Sequence, residues 1–473
     1  MKKTYRLITT CSVCCAICAA TIALSSCKFE QEDYFPESAS LRITHVNEEI
    51  KDRLVEQSAE GSHGWLIQYF VAGTDDYNFE GFNIFGRFYK SGRVTLAGNH
   101  RFLRNNNANK YTEHDSHYEM LAEEGPVLSF NTWNDVLTVL EDPVSPTAAP
   151  GSIVADGEGM RGDHNFVLTK FEDDCITFRG ERHGANSRFT PCDRPWEEYM
   201  EAAEKTKKDI TSDFLTSYYV TNATDTMYFV GLKKGYFNYC DRVSDPLNNK
   251  VLSCVFTPEG FRLHRIYYIE SNMFQEFKMS PDSTCLVSES DSVRVIACWD
   301  NYIVNVRNTV WNFDQEQLSE EQKSILEQLD TEIKKVGKTY SLASIGLGRS
   351  TGKGAVNGLV ITFYTNSAKS KSNTAGLELN TTRPVYGKMN IEAAEDAAMD
   401  GNLTSLAARS NAGELMKQFA ATLISKQAEG KTQKIMFDIT PNNYFKPTGC
   451  ELQEILIDDN GKETPGTAKY TLK

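Results

Sequence analysis

Short runs of β-branched and aromatic residues, separated by Gly, Asn and Asp, occupy most of this chain and constrain its fold more than any other feature. Trp65-Leu66-Ile67-Gln68-Tyr69-Phe70-Val71 is followed by the Gly81 to Tyr89 run, a Lys90-Ser91-Gly92 turn and Arg93-Val94-Thr95-Leu96. Runs of this length with turn residues between them read as short strands. They continue to about residue 305, with helical interruptions expected near Trp133 to Leu140 and Trp196 to Lys208. Such spacing predicts antiparallel sheets, packed as a sandwich or curled toward a barrel.

Helices are expected at three further places. Ile43, Val46, Ile50 and Leu54 make one apolar stripe between Ala39 and Glu60. Ser319-Glu320-Glu321-Gln322 is a capping box opening a helix whose inner face is Ile325, Leu326, Leu329 and Ile333. Leu415, Phe419 and Leu423 mark a third helix from Asn411 to Ala428, stopped by Gly430. Strands resume at Tyr340 and close the chain around Lys434 to Asp438, Leu452 to Asp458 and Ala468 to Leu472. The expected class is α+β, mainly antiparallel β with a few amphipathic helices. Three regions are expected, 39–210, 211–315 and 316–473. A helix followed by a meander occurs at 39–100 and again at 319–366, which leaves an internal repeat open.

The N-terminus reads as an export leader. Lys2, Lys3 and Arg6 precede an uncharged stretch from Leu7 to Ser26, which Thr9, Thr10, Ser12, Thr21 and four cysteines make only weakly apolar. It closes with Leu24-Ser25-Ser26-Cys27, which resembles the bacterial lipobox. Residues 1–26 are thus expected to be removed and Cys27 to carry the lipid that holds the protein to a membrane. Residues 27–38 form an acidic tether. Glu30, Glu32 and Asp33 resemble a signal for the outer face of the outer membrane, and read equally as a solvated linker. No later segment reaches the roughly 18 apolar residues of a spanning helix.

Charge and cysteine content narrow the classes further. Lys2, Lys3 and Arg6 leave with the leader, so the mature chain holds 47 basic side chains against 64 acidic ones, a formal charge of about −17. Such a surface repels phosphate backbones, and nucleic acid is excluded as a partner. Seven cysteines follow Cys27, an odd number. Three pairs are symmetric about expected hairpin tips: Cys285 with Cys298, Cys240 with Cys254, and Cys175 with Cys192, leaving Cys450 free. Each pair is a candidate disulfide, although directly opposed cysteines on paired strands strain the bridge and are often left reduced.

Gly64-Trp65-Leu66-Ile67-Gln68-Tyr69, Gly81-Phe82 with Phe88 and Gly92-Arg93-Val94, and Gly125-Pro126-Val127-Leu128-Ser129-Phe130-Asn131-Thr132 occur in that order. Gly162-Asp163, Phe166-Val167, Trp196 and Tyr199 follow. This series resembles a Bacteroidetes lipoprotein family known as domain of unknown function 4302. The family pattern has an acidic residue and Phe after Gly-Asp, where this chain has His164-Asn165. The resemblance implies an envelope location and the company of outer-membrane nutrient-uptake proteins; together with the acids after Cys27 the expectation is an outer-membrane lipoprotein exposed at the cell surface. It supplies no catalytic residue to transfer.

Motifs that suggest chemistry are incomplete. A phosphate loop across Gly346 to Gly354 needs Gly at Leu347 and Ser or Thr at Gly354, so a solvent-side hairpin loop is the better reading. His114 and His117 sit three apart in an expected loop with no third ligand indicated. Asp75-Asp76, Asp173-Asp174 and Asp458-Asp459 are paired acids of the kind that 64 carboxylates produce by chance. No Gly-x-Ser-x-Gly elbow is present. Trp65, Trp196, Trp299 and Trp311 are expected in the core, with Trp133, among polar neighbours, the candidate ligand-binding exception. No cofactor, metal site or catalytic residue is expected. The reading favoured is a noncatalytic envelope lipoprotein that binds a ligand or partner protein, as an accessory to outer-membrane transporter components. The alternative is a surface hydrolase acting on glycans or peptides, marked by one pocket with two carboxylates about 5 to 10 Å apart.

Overall fold

The computed structural model describes residues 37–72, 79–123, 125–142, 159–211, 217–222, 224–231, 235–240, 250–297, 310–382, 387–428 and 430–473. Its described strands fall into a nine-stranded sheet, a closed eight-stranded barrel and a second nine-stranded sheet, all of their pairs antiparallel. Among the described residues five α-helices accompany them: α1 (Ala39–Glu56), α2 (Trp196–Ile210), α3 (Glu320–Val336), α4 (Gly401–Ala407) and α5 (Ala412–Ile424).

The first sheet is two meanders joined in the middle, where the first strand, Trp65–Phe70, pairs with the last, Asn186–Pro191, in the register Ile67 opposite Phe189. Every residue of Trp65–Phe70 is buried, because helices cover both faces of the sheet. This is why the segment reads as a nearly continuous apolar run, broken by Gln68, instead of an alternation. One face packs Trp65, Ile67, Tyr69, Ile84, Phe88 and Leu96 with Ile50 and Leu54 of α1. The other places Leu66, Phe85 and Ala97 against Trp196, Tyr199, Met200 and Ala203 of α2. Trp65 and Trp196 each donate their indole N–H to a backbone carbonyl, of Leu54 and His63, at 3.0 and 2.6 Å. The helix expected around Trp133 to Leu140 reduces to one 3-10 turn, Thr138–Leu140.

The barrel runs in sequence order and closes where Ser217–Thr221 pairs with Arg294–Ala297. Its interior is filled by Tyr218, Val220, Phe229, Leu252, Phe261, Leu263, Phe274, Phe277 and Val295. The second large sheet is a single meander from Val310–Asn312 to Glu463–Leu472, with Ser425–Ala428 added beside Lys431–Pro441. Its two ends meet. Asn312 and Lys473 exchange backbone hydrogen bonds of 2.9 and 3.0 Å, and Phe313 bridges Leu472. α3 begins with the expected capping box at Ser319, and its Gln322 amide, 1 % exposed, reaches Tyr470 Oη and Thr422 Oγ1. Barrel and second sheet share one apolar cluster.

The two large sheets are not copies of one arrangement, since one joins two meanders at its centre and the other is a single run. α4 was not expected from the sequence, and the helix expected to reach Ala428 ends at Ile424 and continues as a strand.

The expected cysteine pairings do not arise. Opposing Cys175 and Cys192 needs Ile176 opposite Pro191, but Ile176 faces Phe189. Cys254 bonds through its N–H to the Gly235 carbonyl, at the start of a strand whose far end is Cys240. Leu286 faces Val295, whereas a Cys285–Cys298 pair needs Ala297 there. The turn residues after Ser288 shift the hairpin tip in that last case, with Asp291 adopting φ 54°. Cys175, Cys192, Cys254, Cys285 and Cys450 are each buried and free, and Cys298 lies outside the described residues.

Candidate functional site

The first sheet meets the barrel where the chain leading into the strand Phe82–Phe88 lies along the barrel strand Lys250–Phe256. Gly81 N–H donates to the Cys254 carbonyl at 3.0 Å, and Asn83 Nδ2 to the Phe256 carbonyl at 2.8 Å. Ser253 Oγ donates to the Phe79 carbonyl. Gly81 leaves room for the Phe70 ring, which a Cβ there would approach to 2.3 Å. α2 crosses the same junction, with Thr206 Oγ1 donating to the Pro258 carbonyl at 2.5 Å, and Arg194, just before the helix, pairs with Glu259 at 3.1 Å.

Between these elements lies a cleft of about 460 Å³. Its charged lining is Glu80, Arg101, Glu204, Lys207 and Lys208, with the amides of Asn83, Asn99 and Asn109 and an apolar base that includes Met200 and Phe256. Clefts of this size at the junction of two structural units are the usual setting for small-molecule sites. Glu80 Oε1 lies 3.4 Å from Arg101 Nε, and Glu204 Oε1 lies 3.7 Å from Lys208 Nζ. Burial pushes the Glu80 carboxyl above its ordinary value, against the opposing pull of Lys207 and Arg101. His100, also in the wall, is held down to about 4 by burial, and its Nε2 donates to the Val136 carbonyl at 2.8 Å. That bond fixes the ring as the neutral Nε2–H tautomer, with Nδ1 accepting from Phe102 N–H at 3.3 Å.

Much of the polar lining is unengaged. Asn83 Oδ1 is buried without a partner among the described residues, and the half-buried Asn99 and exposed Asn109 make no side-chain hydrogen bond there. None of these residues belongs to a motif. They come from four separate stretches, and only the crossing of α2 over the junction assembles them.

Trp133, the aromatic singled out from the sequence, is 43 % exposed and lies apart from the cleft. Its Nε1 donates to Asp135 Oδ1 at 2.6 Å, and the Arg104 guanidinium stacks 4.7 Å from the ring centre. Trp65, Trp196 and Trp311 are buried, and Trp299 lies outside the described residues. Cys27 and Asp75-Asp76 also lie outside them. His114 and His117 stand on a strand, Thr112–His117, and not in a loop; His114 Nδ1 accepts the Asp135 N–H at 2.7 Å. Among the described residues no group of three His, Cys, Asp or Glu could hold a metal, and no helix is long and apolar enough to cross a membrane. The Gly346–Gly354 stretch forms the end of a strand and its hairpin loop.

Gly162-Asp163 is structural. Asp163, 2 % exposed, accepts the Arg182 and His183 N–H groups on Oδ1 at 3.0 and 2.9 Å and the Ala185 N–H on Oδ2 at 3.0 Å. It thereby fixes the turn before the central strand Asn186–Pro191. Gly180 admits this carboxylate, since a Cβ there would lie 1.9 Å from Asp163 Oδ2. The neighbouring His164 pairs with Glu141 at 2.8 Å.

On the barrel, Ile266, Tyr268 and Met273 are exposed on the hairpin formed by Gly260–Ile269 and Asn272–Met279, with Tyr268 opposite Met273.

A family profile described as a domain of unknown function (DUF4302) matches residues 31–281, which span the first sheet, most of the barrel and every cleft residue. No curated protein sequence matches the chain.

Proposed function

The chain belongs to the DUF4302 family, a domain of unknown function, and from that premise we propose that it is a noncatalytic ligand-binding protein of the cell envelope whose ligand occupies the junction cleft. The observation that carries this reading is the set of unengaged amides in a cleft that also holds paired charges. Donors and acceptors interleaved in this way suit a small hydroxyl-rich ligand of saccharide size. In this reading the lipid on Cys27 tethers the protein to the outer membrane at the cell surface, in a Bacteroidetes envelope, beside nutrient-uptake components. The leader and lipobox support the tether, and the exposed Ile266, Tyr268 and Met273 support contact with a partner protein.

One observation favours the alternative, a glycan hydrolase: Glu80 and Glu204 share the cleft, and Glu80 has the raised proton affinity of a general acid. Both carboxylates are engaged by cations, which favours binding. The experiment is to incubate the purified protein with an oligosaccharide panel, following binding by calorimetry and cleavage by mass spectrometry. Binding without cleavage is expected; cleavage abolished by Glu80→Gln establishes the alternative. For the tether, Cys27→Ala should move the protein from the membrane fraction to the soluble fraction, and retention in the membrane contradicts it.

A further inference from the structure

The charged groups of the cleft do not balance. The whole chain has 50 Lys and Arg against 64 Asp and Glu, yet the described lining holds three cations, Arg101, Lys207 and Lys208, against two carboxylates. Arg101 is paired with Glu80 and Lys208 with Glu204. Lys207 has no carboxylate within 4 Å among the described residues. Its Nζ lies 5.3 Å from the Phe256 ring centre, and without a carboxylate in contact it still pulls on the Glu80 carboxyl more strongly than Arg101 does.

Position in the last turn of α2 accounts for a basic residue there, because a helix C-terminus favours cations. It does not account for the side chain lining the cleft over an aromatic ring. Lys205, one turn away from the same helix end, points elsewhere and pairs with Asp209. The ammonium of this half-buried residue, with no carboxylate in contact, attracts an anion brought to it.

We infer that Lys207 is the counter-ion for a carboxylate carried by the ligand, so that the cleft selects acidic saccharides, of the uronic acid class, over neutral ones. The unengaged Asn99 and Asn109 amides meet the hydroxyls, and Lys207 meets the carboxylate. This inference rests on the cleft being the ligand site. A peptide is the less suitable occupant, because the apolar base is largely covered and offers no pocket for a hydrophobic side chain: Phe82 and Phe256 are 3 % and 7 % exposed.

The test is calorimetric titration of the full chain with digalacturonate and with its neutral dimethyl ester. The acid should bind about tenfold more tightly than the ester, the scale of one charge-assisted hydrogen bond. Lys207→Gln should bring that ratio close to one, while Lys205→Gln should leave it unchanged. Equal binding of acid and ester by the wild type overturns the role of Lys207 and leaves the cleft as the site. A preference that survives in Lys207→Gln overturns it as well. If neither compound binds, both the inference and the saccharide reading of the cleft fall.

Discussion

Asp163 shows how a recognisable motif can be architectural. Three backbone N–H groups converge on one buried carboxylate, and a glycine on the neighbouring strand leaves room for it. Asp163→Ala strands those donors, and unfolding in urea should show a loss of about 3 kcal/mol. His164→Ala, removing a half-exposed hydrogen bond to Glu141, should change stability by less than about 1 kcal/mol. His100 supplies a pH test. Its folded proton affinity is depressed to about 4, below the ordinary 6.5, so between these values the unfolded chain binds more protons. Its contribution is therefore fully present above about pH 6.5 and is lost as pH falls toward 4, on the order of 3 kcal/mol in total. Stability curves of wild type and His100→Gln should differ in slope across that window; parallel curves contradict the assignment. The family motifs were readable in sequence because their glycines serve strict local geometry. The cleft residues were not, because nothing local distinguishes Glu80, Asn99 or Lys207 from other solvated side chains.

At the level of elements, apolar period and caps were the reliable signals. The stripe of α1 and the capping box of α3 stand where they were read, because both are set within a few residues. Register was not readable to better than two residues. The expected cysteine pairs assumed symmetric hairpins, and turn conformations such as that at Asp291 moved the partners along. α4 escaped notice because its seven residues give too short a stripe, while its Asp400 cap, bonding Leu403 N–H at 2.8 Å, is one of many aspartates. Closure of the second large sheet depends on the last residues of the chain, where Tyr470 and Leu472 are 5 % and 0 % exposed. Deleting residues 470–473 should therefore lower stability by about 3 kcal/mol or more, read by thermal unfolding, since burial of one large apolar side chain contributes roughly 1.5 to 3 kcal/mol. Behaviour like the loss of a frayed tail would show that the ends do not meet.

In the whole molecule, the proposed ligand site is a junction and not a motif. The sequence announced three regions and a β-rich class, but the cleft exists only because the segment before Phe82 is hydrogen-bonded to the barrel strand ending at Phe256 while α2 crosses both. The family match covers all of these parts and stops before the second large sheet, whose described strands begin at Val310. The most direct measurement fills the cleft. Asn99→Trp places a large side chain in its wall at a position with no hydrogen bond to lose, and thermal unfolding is then followed with and without a bound acidic oligosaccharide. Ligand at a hundred times its dissociation constant stabilises a folded protein by about 2.7 kcal/mol. A rise in melting temperature for the wild type, absent from Asn99→Trp at equal unliganded stability, is the result expected; an undiminished rise in the variant would place the ligand elsewhere.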